Sequence, residues 1–112
     1  MKTPGPKKLP LPGAPVRGSR SGRPVMALLD LLGRRMALRI VWELRAGELT
    51  FRALQEAAQT NPSVLNARLT ELRAAGIVAH RAGRGYALSA RGLRLLEALG
   101  PLVAWTKGWK VA

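Results

Sequence analysis

Residues 50–88 read TFRALQEAAQTNPSVLNARLTELRAAGIVAHRAGRGYAL, and the punctuation inside this stretch decides the fold. Thr50 is a good N-cap for a short helix over 51–58, with Phe51 and Leu54 facing inward. Gln59-Thr60-Asn61-Pro62 is a turn, in which Asn61 caps the next helix and Pro62 is its first residue. That second helix runs to about Ala75 and stops at Gly76, with Leu65, Leu69 and Leu72 as its core stripe. Residues 77–81 read as a strand, Ala82-Gly83-Arg84-Gly85 as a tight glycine turn and 86–88 as the return strand. Two helices joined by a short turn and followed by a basic hairpin describe a winged helix-turn-helix, a mainly α fold with a small β-hairpin. In that arrangement the recognition helix, about 62–75, enters a DNA major groove and the hairpin 77–88 is a short wing.

The flanks extend the same pattern. Upstream, Pro24 opens an apolar helix over 25–32 that Gly33 ends. A second helix over about 34–45 places Ala37, Ile40, Val41 and Leu44 on one face, pairs Arg39 with Glu43 on the wet side, and has Gly47 at its C′ position. Downstream, Ser89 caps a long last helix that Gly100-Pro101 should kink. Leu95, Leu99, Leu102, Trp105 and Trp109 continue one apolar seam past that kink, where a small domain has little core left to offer. Leu28 on the first helix and Leu99, Leu102, Trp105 and Trp109 on the last are the candidates for a homodimer interface.

Composition narrows the function. The chain has 112 residues, 19 Lys+Arg against 6 Asp+Glu, one His and no Cys, for a net charge of +13. One domain fits this length; a disulfide framework, a thiolate metal site and a thiol switch do not fit a cysteine-free chain. A lone histidine, His80, and six scattered acids assemble no catalytic or metal site, so no catalytic residue, no metal and no cofactor is expected. No apolar run reaches the ~18 residues of a membrane span, and prolines interrupt the place of a signal-peptide core. The expectation is a soluble, cytoplasmic, nucleoid-associated protein with no membrane partner.

The charge is unevenly placed. Residues 1–23 hold Lys2, Lys7, Lys8, Arg17, Arg20 and Arg23, no acid, and five of the eight prolines. This composition predicts a disordered basic Pro/Gly-rich tail, in which Gly22-Arg23-Pro24 looks like the core of a minor-groove hook. The domain over 24–112 keeps +7 of the charge, so double-stranded DNA is the expected partner of the domain as well as of the tail.

On helix 62–75 the leucine stripe fixes which side faces out. At ~100° per residue, Ser63, Ala67, Thr70 and Ala74 centre the opposite face, with Asn66 and Glu71 on its flanks. Small residues allow close approach to base edges, Asn can pair bidentately with adenine, and Ser or Thr can bond several edges. Ser63, Asn66, Ala67 and Thr70 are thus the base-facing candidates. Arg35, Thr50, Arg52, Arg68, Arg73, Arg81 and the hairpin-tip Arg84 are candidates for phosphate or wing contacts. The competing reading is a nucleic-acid-binding or architectural protein without sequence preference, driven by charge alone.

These residues, taken in order, resemble the HxlR-type branch of the bacterial winged helix regulators, related to the MarR type. Pro24-Val25 and Leu29-Asp30-Leu31-Leu32-Gly33 resemble the family's opening helix. Gly47, Phe51 and Leu54 match its Gly, Arg-Phe and Leu motif, with Thr50 in place of the Arg. Leu65, Arg68-Leu69, Glu71-Leu72 and Gly76-Ile77-Val78 match the recognition helix and exit strand; Tyr86-Ala87-Leu88-Ser89, Gly92 and Ala104-Trp105 match the last helix. The resemblance implies a homodimer built from the first and last helices that binds a two-fold operator, often as a repressor of a nearby gene; the sequence leaves any small-molecule effector unidentified. Arg23 stands where the family often has a sensing Cys, Met36 where it usually has Trp, and the wing is several residues shorter.

Overall fold

A computed structural model describes residues 9–111. Six helices and one hairpin follow in the order α1 (Pro24–Leu32), α2 (Ala37–Glu43), a 3-10 turn (Leu44–Ala46), α3 (Phe51–Ala58), α4 (Pro62–Ala74), β1 (Val78–Arg81), β2 (Gly85–Leu88), α5 (Ala90–Ala98) and α6 (Gly100–Thr106). The fold is the expected one, mainly helical with a two-stranded antiparallel hairpin.

The caps read from sequence close the helices. The side chains of Thr50, Asn61 and Ser89 accept hydrogen bonds from the backbone N–H groups of Ala53, Val64 and Gly92. Each satisfies a donor that a helix start leaves orphaned. Helix α2 starts three residues later than expected, because Met36 adopts a left-handed conformation (φ 70°) and breaks the chain after α1. In the turn between α3 and α4, Gln59 is also left-handed (φ 54°), a conformation that costs a side-chain-bearing residue about 1–2 kcal/mol. The kink at Gly100-Pro101 separates α5 from α6.

The core is one cluster. Ile40, Val41 and Leu44 of the α2 segment meet Leu54 and Ala58 of α3, Leu65, Leu69 and Leu72 of α4, and Ile77 and Val78 at the hairpin base. The hairpin aligns Val78 with Leu88 and His80 with Tyr86. Leu49 adds a bridge to Tyr86, donating and accepting at 2.9 and 2.8 Å, which ties the wing to the start of α3. Two glycines make this possible: a Cβ on Gly85 would lie 2.4 Å from the Leu49 carbonyl oxygen, and one on Gly92 would lie 2.2 Å from that of Ile77. Strand β1 starts at Val78, one residue later than expected, because the Ile77 N–H closes α4 on the Leu72 carbonyl.

Of residues 1–23, expected as a disordered basic tail, the first eight lie outside the described residues, and the contacts of the rest are local. Val16 and Ser19 form a bridge across a tight turn, and the Arg17 N–H donates to the Asp30 carboxylate at 3.2 Å. Pro10 is buried beside α1, and Gly22 packs so closely on the Ala14 backbone that a Cβ would overlap it. With Gly22 held in this fold and Pro24 opening α1, the hook-like tripeptide is not an extended strand. Polyproline-type residues need little partner surface to be fixed, and the apolar side of α1 supplies it.

Candidate nucleic-acid interface

Helix α4 is held from below and open above. Leu65, Leu69 and Leu72 are buried in the core, while Ser63, Asn66, Ala67 and Thr70 are all exposed on the opposite side. The face contains no charge and no large side chain. The Thr70 hydroxyl donates to the Asn66 carbonyl at 2.9 Å, which leaves its oxygen as an outward acceptor. The Asn66 amide makes no side-chain hydrogen bond among the described residues, so both its donor and acceptor are available to a base edge. The exposed start of α4, set by Asn61 and Pro62, brings Ser63 to the leading end of the helix.

Around this neutral face lie exposed cations. Arg35, Arg73 and Arg81 are exposed, and the Arg52 side chain is 91% accessible with only a loose 3.7 Å pairing to Glu56. Arg84 projects from the hairpin tip and pairs with Glu48 at 3.4 Å. Such solvent-exposed pairs contribute little stability, so exchanging a carboxylate for a phosphate costs little. Thr50 caps α3 through its oxygen and keeps its hydroxyl proton for an outside acceptor. His80, on the first wing strand, stacks on Tyr86 with ring centroids 4.3 Å apart.

Two residues of α4 are placed differently from expectation. Glu71, read as a flank of the outward face, is only 6% exposed. Its carboxylate lies between the Arg34 and Arg68 guanidiniums, the latter at 2.7 Å. Arg68, read as a phosphate contact, is correspondingly drawn in: its side chain is 15% accessible and also donates to the Arg35 carbonyl at 3.4 Å. A helical wheel gives the angle of a side chain but not how far the neighbouring chain wraps. Here the α1–α2 junction covers the Glu71 side, and a buried carboxylate needs cations to stay there. The i, i+3 spacing of Arg68 and Glu71 was the available signal.

The far end of the molecule is apolar. Helix α6 buries no residue; Leu102, Trp105 and Trp109 are exposed, Trp105 at 60%. The two tryptophan rings lie 5.3 Å apart. Leu99 is half-buried and joins Leu102, Leu96, Val103, Leu38 and Trp42 along an apolar groove of about 380 Å³. Leu38 and Val103 escaped the sequence reading; Leu38 lies beside Arg39, on the side of α2 that was taken as wet. Leu28 sits elsewhere, half-buried in a cavity roofed by Pro10, Leu11 and Pro12. The exposed apolar residues of α1 are Val25 and Leu29.

The comparisons with known proteins agree with this fold. The family model for the HxlR-like helix-turn-helix matches residues 31–112. Quinone-bound YodB from B. subtilis superposes with a TM-score of 0.72 at 25% identity, covering 77% of this chain and 97% of that one. Diamide-treated YodB gives a TM-score of 0.63 at 25% identity over 80% of this chain and 96% of that one. Reduced HlyU from Vibrio cholerae N16961 gives 0.57 at 29% identity, over 67% and 83%. No curated protein matches the chain in sequence.

Proposed function

The chain belongs to the HxlR-like helix-turn-helix family and is a DNA-binding transcriptional regulator, and from this premise we propose that it reads specific operator sequences as a homodimeric repressor in the cytoplasm. The observation that carries the sequence-reading part is the exposed face of α4, where Ser63, Asn66, Ala67 and Thr70 offer small, neutral, hydrogen-bonding chemistry between exposed arginines. Base edges are read by uncharged fork and hydroxyl groups as well as by arginine, while phosphates are held by charge. Arg35, Arg52, Arg73, Arg81 and Arg84 take the phosphates on this reading, with Thr50 as a neutral phosphate donor.

The homodimer reading is supported by the apolar groove between α2 and the last two helices and by the exposed Trp105 and Trp109 beside it. A two-fold dimer matches the same patch on both copies. It sets two α4 helices ~34–36 Å apart, one turn of DNA. YodB has been solved with a quinone and after diamide treatment. The present chain has no cysteine, so a signal that reaches it does not pass through a thiol.

The test is a footprint on DNA carrying the chain's own upstream region, with sedimentation equilibrium on the free protein. A protected site with two half-sites one turn apart, and a dimer in solution, are expected. Uniform protection at all sequences would replace this reading with charge-driven binding.

A further inference from the structure

The stretch that precedes α1 closes one wall of a polar cleft. Its tight turn is pinned to Asp30 by the Arg17 N–H, so the Arg17 side chain stays exposed at the rim, and Arg35 is exposed across from it. The floor is made by Arg34 and Arg68, whose side chains are 18% and 15% accessible. The cleft encloses about 420 Å³ and is lined by these four arginines, Asp30 and Gly33. Glu71 lies behind Arg34 and Arg68, and Asp30 sits 3.8 Å from Arg34.

The charge does not close on itself. Four guanidiniums face two carboxylates, which leaves two positive charges in one concave site. The acids hold the floor arginines in fixed positions, and the rim arginines, tethered only through backbone atoms, keep their forks for something else. A guanidinium presents paired donors that match a phosphate bidentately. A phosphate brings that fork-matching geometry together with the negative charge the excess calls for.

We propose that this cleft binds a phosphate group, and that residues 9–23 are part of the site. The same chemistry is offered by a DNA backbone phosphate beside α4 and by the terminal phosphate of a free metabolite. Arg17 and Arg35 grip the phosphate; Arg34 and Arg68 supply the field beneath it. The site does not depend on how α4 reads bases.

The experiment uses the full chain and the variants Arg17→Gln and Arg35→Gln, singly and together. Both substitutions keep the backbone bonds that these residues make, so the fold should survive, as far-UV circular dichroism will show. In the first arm, inorganic pyrophosphate is titrated at constant ionic strength while thermal unfolding is followed. The wild type should gain melting temperature beyond a chloride control, and the double variant should bind pyrophosphate about tenfold or more weakly. In the second arm, DNA affinity is measured against salt. A flattening of the log–log slope by about 0.9 in Arg17→Gln, at a residue outside the proposed operator contacts, assigns the site to a DNA phosphate. An unchanged slope in Arg17→Gln with a lost pyrophosphate response assigns it to a free phosphate. A wild type that does not respond to pyrophosphate, or a double variant that responds as the wild type does, with an unchanged slope in Arg17→Gln, overturns the proposal. If the wild type binds no DNA, the operator reading fails while the first arm still decides this one.

Discussion

Helices α4 and α6 expose faces of opposite chemistry. Helix α4 buries three leucines in the chain's own core and turns a small, neutral, polar face outward. Helix α6 buries nothing and turns leucine and tryptophan outward. A polar face on a well-anchored helix is complete without another copy of the protein; what it lacks is a ligand with hydrogen-bonding edges. An apolar face on an unanchored helix lacks protein. On the proposed reading, the difference separates two partners that the net charge alone cannot tell apart, DNA at α4 and a second chain at α6.

Breaking the anchor of α4 should have the largest effect. Leu72→Ala removes a fully buried side chain and should cost about 2–5 kcal/mol in urea unfolding, with DNA binding lost in parallel. Leu102→Ala, at an exposed position of α6, should shift monomer stability by less than about 0.5 kcal/mol. Equal losses at the two sites would erase the distinction between the helices.

Trp105→Ala should act on association instead. As a large exposed aromatic beside the apolar groove it should weaken the dimer by about 2 kcal/mol, roughly 30-fold in dissociation constant by sedimentation equilibrium. An unchanged monomer–dimer equilibrium would remove α6 from the interface.

Smaller still is the turn between α3 and α4. Gln59→Gly relieves a left-handed residue and should raise stability by about 0.5–1 kcal/mol, with DNA affinity unchanged, since the substitution touches neither exposed face. A loss of stability would mean that the Gln59 side chain has a packing role its exposure does not suggest.

How much of this was legible in the sequence depends on the range of the forces involved. Caps and turns are local, so Thr50, Asn61-Pro62 and Ser89 marked their helices within a residue or two. The leucine stripe of α4 fixed its outward face, because a 3.6-residue period relates positions within a single helix. What stayed hidden was long-range. Glu71 is drawn inward by Arg34, 37 positions away, and Arg68 follows Glu71; no local pattern announces the long-range partner. The contact of the segment over 9–23 with α1, through Arg17 and Asp30, is likewise not announced by its proline and glycine. Leu38 looks like the wet side of α2 until α5 and α6 are placed beside it.

The central claim is that uncharged residues on α4 choose the sequence while the surrounding cations supply attraction. The most direct test selects bound sequences from a random DNA pool, then measures wild type and Asn66→Ala on the selected site and on random DNA at one salt concentration. The account predicts that Asn66→Ala loses about 1–3 kcal/mol on the selected site and almost nothing on random DNA, so that discrimination falls about 5- to 150-fold. Equal weakening on both DNAs, or no change on either, would contradict it.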